Sequence, residues 1–369
     1  MKITNLDNSP RNIRYEEDLE DFLDSSHIED IVEIFKTPLT GSYNWDYTLQ
    51  DNRIKKLYEL GKELNWNAEL DIDWSRPFEK ITEPPEIFWD EYAPYANMPD
   101  QKKVDFINHR IAWSQSQFLH GEQGALLVAS QLTSCAPTYN AKLYAASQTF
   151  DEARHVEAFN RYIQTRIKMM YPIGNALKSI LDKILTDPRW DLKFIGMQLI
   201  IEGLALAAFQ TSRELTKDPV LSDMLGLIIR DEARHVTFGV NYLEEYVATL
   251  SKKEKEERAQ FAYEACWLSR ERLLSVDVFE HFGWDVEDAR QFQLGSDINK
   301  HFQKLLFQRV MPNLRRVGLL TDSVKDKFDD LGILEFASDE SDAEIDWADL
   351  SRPLFERSEE HTSELQSPL

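Results

Sequence analysis

Two copies of one pentapeptide, Asp151-Glu152-Ala153-Arg154-His155 and Asp231-Glu232-Ala233-Arg234-His235, stand eighty positions apart and carry residue types that bind metal. On a helix, positions i and i+3 share a face about one turn apart, so Glu152 with His155, and Glu232 with His235, can each grip one ion. One carboxylate and one imidazole per ion are too few, and a two-metal helical site takes a further Glu from each of two other helices. Those Glu residues should lie in apolar stretches, where an unpaired carboxylate is costly. Glu122, between Phe118 and Val128, and Glu202, between Leu199 and Phe209, meet that condition, and neither has a Lys or Arg within four positions.

Spacing ties the four carboxylates together. Glu122 and Glu152 are 30 residues apart, and so are Glu202 and Glu232. Pro137 occupies the first midpoint and Asp218-Pro219 follows the second, so each pair is expected on a helical hairpin that turns halfway between its carboxylates. Arms of about 15 residues at 1.5 Å rise set the carboxylates roughly 22 Å from the turn, deep within a bundle. The longer gap from His155 to Glu202, holding Pro172 and Pro188, suits a crossover between the hairpins. Surface charges on amphipathic helices would explain one Glu-x-x-His, but not the duplication, the equal spacings or two carboxylates in apolar stripes. The other histidines read as ordinary: His109, His281 and His301 lack a carboxylate at i-3, His27 lies outside the bundle, and His120 points away from the site.

The elements that must hold these residues run from about 101 to 320, where apolar residues recur at three- and four-residue spacing and break at Pro137, Pro172, Pro188 and Pro219. This predicts an all-α bundle with crossover, extended by additional C-terminal helices, over 101–321. Residues 1–100, with Trp45, Trp66, Trp74 and Trp89 among acids and a Pro84-Pro85 break, read as an irregular covering region with a helix near 52–64. The acidic stretch 322–356, with eleven acids against two lysines up to 349, reads as a solvated or loosely docked tail. Residues 357–367 resemble the conceptual translation of a sequencing adapter and stand outside the fold reasoning.

Composition narrows the function classes. With 42 Lys+Arg against 65 Asp+Glu, the formal charge of -23 repels phosphate backbones and anionic lipid, which speaks against nucleic acid or a membrane surface as partner. No signal-like N-terminal stretch and no uncharged apolar run of membrane-spanning length occurs, so the expected location is the cytoplasm. Cys135 and Cys266 are too few for a disulfide framework or a thiolate site and read as small core residues.

The repeated Asp-Glu-x-Arg-His pattern with two further helical Glu residues resembles the ferritin-like di-iron superfamily, which includes ribonucleotide reductase small subunits, bacterial multicomponent monooxygenase hydroxylases and di-iron N-oxygenases. The resemblance covers residues 104 to about 250. It implies a ferritin-like four-helix bundle in which Asp151 and Asp231 hydrogen-bond the ligand histidines and Arg154 and Arg234 support them. Such partners fix the tautomer and direction of a ligand imidazole. Three positions depart from the relatives. Phe159 stands where reductase subunits place the radical tyrosine, Leu206 where hydroxylases carry a threonine, and Ile228 where arylamine N-oxygenases have an additional His ligand.

Four carboxylates and two imidazoles nearly neutralise two divalent ions of hard or intermediate type, such as iron or manganese. The resemblance favours two irons, with Mn/Fe as the variant. Phe118, Leu126, Phe159, Leu206, Phe209 and Ile228 are the candidates to exclude water and line a pocket for an apolar substrate. The expected activity is an oxidoreductase that activates dioxygen to oxidise or oxygenate a small apolar molecule. Electrons would come from an external reductase or ferredoxin, since no flavin, nicotinamide or iron–sulfur motif is visible, and a homodimer is compatible with this reading. The competing readings are a ferritin-like iron-handling protein and a radical-generating reductase subunit.

Overall fold

The computed structural model describes residues 3–5, 33–37, 39–48, 51–77 and 81–344. Four long helices make the bundle. After α1 (Asn52–Glu63) come α2 (Asp100–Cys135) and α3 (Tyr139–Tyr162), which pack as the first hairpin, and after a crossover come α5 (Trp190–Leu215) and α6 (Pro219–Thr249), which pack as the second.

Local chemistry sets both turns. Ala136, ahead of Pro137, is forced out of the helical region (φ -58°, ψ 135°) and ends α2. Thr138 then caps α3 by accepting from the Ala141 amide. In the second hairpin the Asp218 carboxylate caps α6 by accepting from the Val220 amide at 3.0 Å, and Pro219 fills the first helical position, where its missing N–H is no loss.

The crossover holds a short π-helical turn (Ile163–Ile167), a two-residue strand Met169–Met170 paired antiparallel with Thr4–Asn5, and α4 (Asn175–Thr186). Helix α5 is itself interrupted, since Ile195–Ile201 is π-helical and the α-helix resumes at Glu202. This helix is long and apolar enough to cross a membrane, but 94% of its apolar window is buried, so its hydrophobicity faces the bundle. Helices α7 (Lys252–Glu271) and α8 (Asp297–Val317) pack against α5, and a second, aromatic core around Trp89, Tyr95, Phe106 and Phe279 closes one end.

Of the two readings of the acidic stretch, solvated or loosely docked, residues 322–344 take the docked one. Helix α9 (Asp322–Asp330) buries Val324 and Phe328, and Ile333 and Phe336 join the main core. Asp342 is buried against Arg309 and Asn313, each at 2.8 Å. The acids of this segment occupy mostly exposed positions while apolar residues between them supply a docking face, a pattern hidden by net composition. Residues 345–356 and the adapter-like stretch 357–367 lie outside the described residues.

Candidate metal centre

The two hairpins bring Glu122, Glu152, His155, Glu202, Glu232 and His235 to one level in the middle of the bundle, all buried. Their donor atoms form two overlapping sets, each with all atoms within 4.8 Å of one another: Glu122, Glu152, His155 and Glu232, and then Glu152, Glu202, Glu232 and His235. Glu152 and Glu232 belong to both sets and could bridge two ions, whereas Glu122 and Glu202 each belong to one set.

Each imidazole has an inner and an outer nitrogen. His155 Nδ1 lies 3.0 Å from Glu122, 3.1 Å from Glu232 and 3.4 Å from Glu152, while its Nε2 lies 3.2 Å from Asp231 Oδ2. His235 Nδ1 faces Glu152 at 3.2 Å, and its Nε2 lies 3.2 Å from Asp151 Oδ2. The pairing is crossed between hairpins: the aspartate of each pentapeptide holds the histidine of the other. Arg154 and Arg234 complete a buried square, each pairing with both aspartates. An aspartate acceptor on Nε2–H leaves the Nδ1 lone pair pointing inward, the arrangement a metal requires.

The donor set fits a pair of cations. Glu152 Oε2, both carboxylate oxygens of Glu232 and His235 Nδ1 are buried and, among the described residues, make no well-directed hydrogen bond despite neighbours at 3.1 to 3.4 Å, a cost that coordination would relieve. Asp151 and Asp231 are balanced by Arg154 and Arg234, so the four glutamates leave four negative charges for two divalent ions. The electrostatics report the same excess. Burial pushes the Glu122 carboxyl up to about 8 against the pull of its His155 hydrogen bond, and the charge of Glu232 adds to the rise. Burial, then the charges of Glu152 and Glu232, raise Glu202 well above the carboxylate range. Burial opposes charge on both imidazoles, yet the surrounding carboxylates and aspartates raise both well above their ordinary value. A field that holds protons this firmly also attracts metal cations.

Among the pocket candidates, Phe118, Phe159 and Phe209 pack into one cluster of tilted and edge-on rings, with ring centroids 4.9 to 5.8 Å apart. Leu206 and Ile228 are fully buried, and Leu126 is only half-buried. A cleft of about 240 Å³ between α1 and α3 reaches Asp151, on the aspartate side of the square. His120 turns to the Tyr171 carbonyl at 2.9 Å, and His109 stacks on His281.

Several residues had no place in the sequence reading. Trp66 donates from Nε1 to Asp231 Oδ2 at 2.7 Å, and Arg154 binds the Trp66 carbonyl at 2.9 Å, so the covering region contributes directly to the square. Nothing local marks a tryptophan that acts 165 residues away. Gln148 and Gln198, both fully buried, lie one turn before Glu152 and Glu202. Gln198 did carry a signal, as a lone polar residue within an apolar run, the same criterion that singles out Glu202. Arg272, at the end of α7, feels the charges of Glu122 and Glu202 and is pushed down to about 10 by burial.

Gly239 on α6 permits the close approach to α5. A Cβ there would lie 2.4 Å from Gln198 Cβ. Gly239→Ala should therefore cost about 1–3 kcal/mol by overpacking, seen as a lower urea midpoint; an unchanged midpoint would show that the two helices can separate freely.

The profile of the family described as P-aminobenzoate N-oxygenase AurF matches residues 48–318. The chain belongs to the AurF family. An AurF-family protein with this buried Glu/His cluster is an O2-dependent di-iron oxidoreductase with the ferritin-like helical fold. The match assigns the family that the three departures had left open, and it is a family of oxygenases rather than of storage proteins or radical subunits. Ile228, fully buried, offers no additional ligand in this AurF-family chain. Among solved structures, an R2-like ligand-binding oxidase with an aerobically reconstituted metal cofactor after photoconversion is 18% identical, with a TM-score of 0.47 over 74% of this chain and 95% of that one. A mutant of an R2-like ligand-binding oxidase with an aerobically reconstituted Mn/Fe cofactor is also 18% identical, with a TM-score of 0.45 over 74% and 96%. The curated proteins contain no match.

Proposed function

We propose that Glu122, Glu152, His155, Glu202, Glu232 and His235 hold two iron ions, and that the site oxygenates a small, largely apolar substrate, an aromatic amine such as p-aminobenzoate being the first to test. The convergence of four buried glutamates and two buried histidines, several of their atoms unpartnered, carries this reading. Iron in such a ligand set supplies dioxygen binding and electron transfer, which no side chain provides.

The chain's own residues do the rest. Asp151 and Asp231 accept from the outer imidazole nitrogens and hold both rings in one tautomer. Arg154 and Arg234 pair with those aspartates and hold them in place. The Phe118, Phe159 and Phe209 rings exclude water and offer an aromatic substrate a matching surface. Electrons come from a separate reductase or ferredoxin, in keeping with the lack of any flavin, nicotinamide or iron–sulfur motif in the sequence.

Anaerobic reconstitution of the full chain with ferrous ion should yield about two irons per chain, the number this ligand set accommodates. Dioxygen with a chemical reductant and p-aminobenzoate should then give an N-oxygenated product by mass spectrometry. Fewer than about one and a half irons would sink the two-metal reading. Full iron loading with oxygen uptake that no aromatic amine accelerates would sink the substrate class alone.

A further inference from the structure

The two halves of the metal cluster are related by the repeated pentapeptide, yet the residues one turn ahead of the four glutamates break that symmetry. They are Phe118 before Glu122, Gln148 before Glu152, Gln198 before Glu202 and Ile228 before Glu232. Two are apolar and two are amides, and the amides meet. Gln148 Nε2 donates to Glu152 Oε1 at 3.0 Å and to Glu202 Oε1 at 3.3 Å, and Gln198 Nε2 donates to Gln148 Oε1 at 3.3 Å.

A primary amide has two N–H donors and a carbonyl acceptor. Gln148 spends both donors on carboxylates and its acceptor on Gln198. Flipping it would set its carbonyl oxygen against two carboxylate oxygens, so its orientation is determined. Gln198 is held in turn by the close approach of α6 at Gly239 and sits in the π-helical turn that leads directly into Glu202.

These bonds fall on one metal position. Glu152 Oε1 is the oxygen that faces His235, whereas Glu152 Oε2 faces His155 and has no hydrogen-bond partner. Both oxygens bound by Gln148 therefore belong to the carboxylates around His235. Among the described residues no side-chain amide bonds the position built on Glu122 and His155, and Phe118, one turn before Glu122, belongs to the aromatic cluster with Phe159 and Phe209.

We propose that Gln148, braced by Gln198, is a positioning residue that makes the two metal positions inequivalent: the Glu202/His235 position is tight and fills first, and the Glu122/His155 position is the weaker, exchangeable one facing the aromatic cluster. Hydrogen bonds that orient a ligand carboxylate raise its affinity, and one set of ligands has them while the other does not. The proposal rests on the two-metal reading of the cluster.

Anaerobic calorimetric titration of the full chain with ferrous ion tests it. The unmodified chain should show two resolved binding steps. Gln148→Leu should weaken the tighter step about 10- to 100-fold, the range for loss of a residue that orients a metal ligand, and leave the weaker step within about threefold. Gln198→Leu, at a residue that hydrogen-bonds Gln148 rather than a carboxylate, should weaken the same step by a smaller factor. If Gln148→Leu fails to fold by circular dichroism, Gln148→Asn, too short to reach both carboxylates, replaces it with the same expectation. Two indistinguishable steps in the unmodified chain, equal weakening of both steps in Gln148→Leu, or no change would overturn the inequivalence and leave the two-metal reading standing. No iron binding by the unmodified chain would instead overturn that reading, and the inference with it.

Discussion

Replacing Glu232 by alanine is expected to strip both metal positions, whereas replacing Glu122 should strip one. The difference follows from membership: Glu232 belongs to both ligand sets and Glu122 to the first alone. Loss of a direct ligand should weaken each affected position by at least about 100-fold, the upper range for losing a residue that merely orients a ligand. After anaerobic reconstitution and desalting, iron per chain should fall from about two to below about one half in Glu232→Ala and to about one in Glu122→Ala. Oxygen consumption should be abolished in the first. If Glu232→Ala kept both irons, or Glu122→Ala lost both, the assignment of bridging and terminal carboxylates would be wrong.

The largest stability effect is expected at Arg234. Its side chain is fully buried, binds Asp231 within its own pentapeptide and reaches Asp151 of the other hairpin at 3.2 Å. Burial disfavours its charge, but the two aspartates outweigh that and raise its pKa further. Arg234→Met keeps much of the volume and leaves two buried carboxylates undercompensated, which should cost about 3–5 kcal/mol. Arg234→Lys keeps the charge but loses the planar fork that spans both aspartates, so it should fall between the two. Urea unfolding followed by circular dichroism gives the order, and a loss below about 1 kcal/mol in Arg234→Met would reduce the square to the standing of a surface ion pair.

Much of this site was legible from residue types and intervals. The six metal-binding candidates lie on four helices whose carboxylates are equidistant from proline-marked turns, so helix geometry alone brings them to one level. Glu202 stood out because a carboxylate in an apolar run demands a partner. The crossing of the square was not legible, since spacing says which helices pair but not which aspartate reaches which histidine. Trp66 was invisible because its partner is 165 residues away and the region around it lacks periodicity. The π-helical turn Ile195–Ile201 was hidden as well, because widening the turn leaves a run that is apolar but for Gln198 looking unchanged. Composition misled at 322–344, where acids on the exposed face outnumber the few apolar residues that dock the segment.

The crossed square also bears on how the enzyme is assembled. Neither hairpin alone carries a complete ligand set: the first lacks Glu232, the second lacks Glu152, and each leaves its histidine without the aspartate that aims it. A nascent chain that has emerged only as far as α3 therefore offers iron three ligands, one of them an unanchored imidazole. A complete ligand set exists only once α6 has docked, and iron loading of the full chain should follow completed folding.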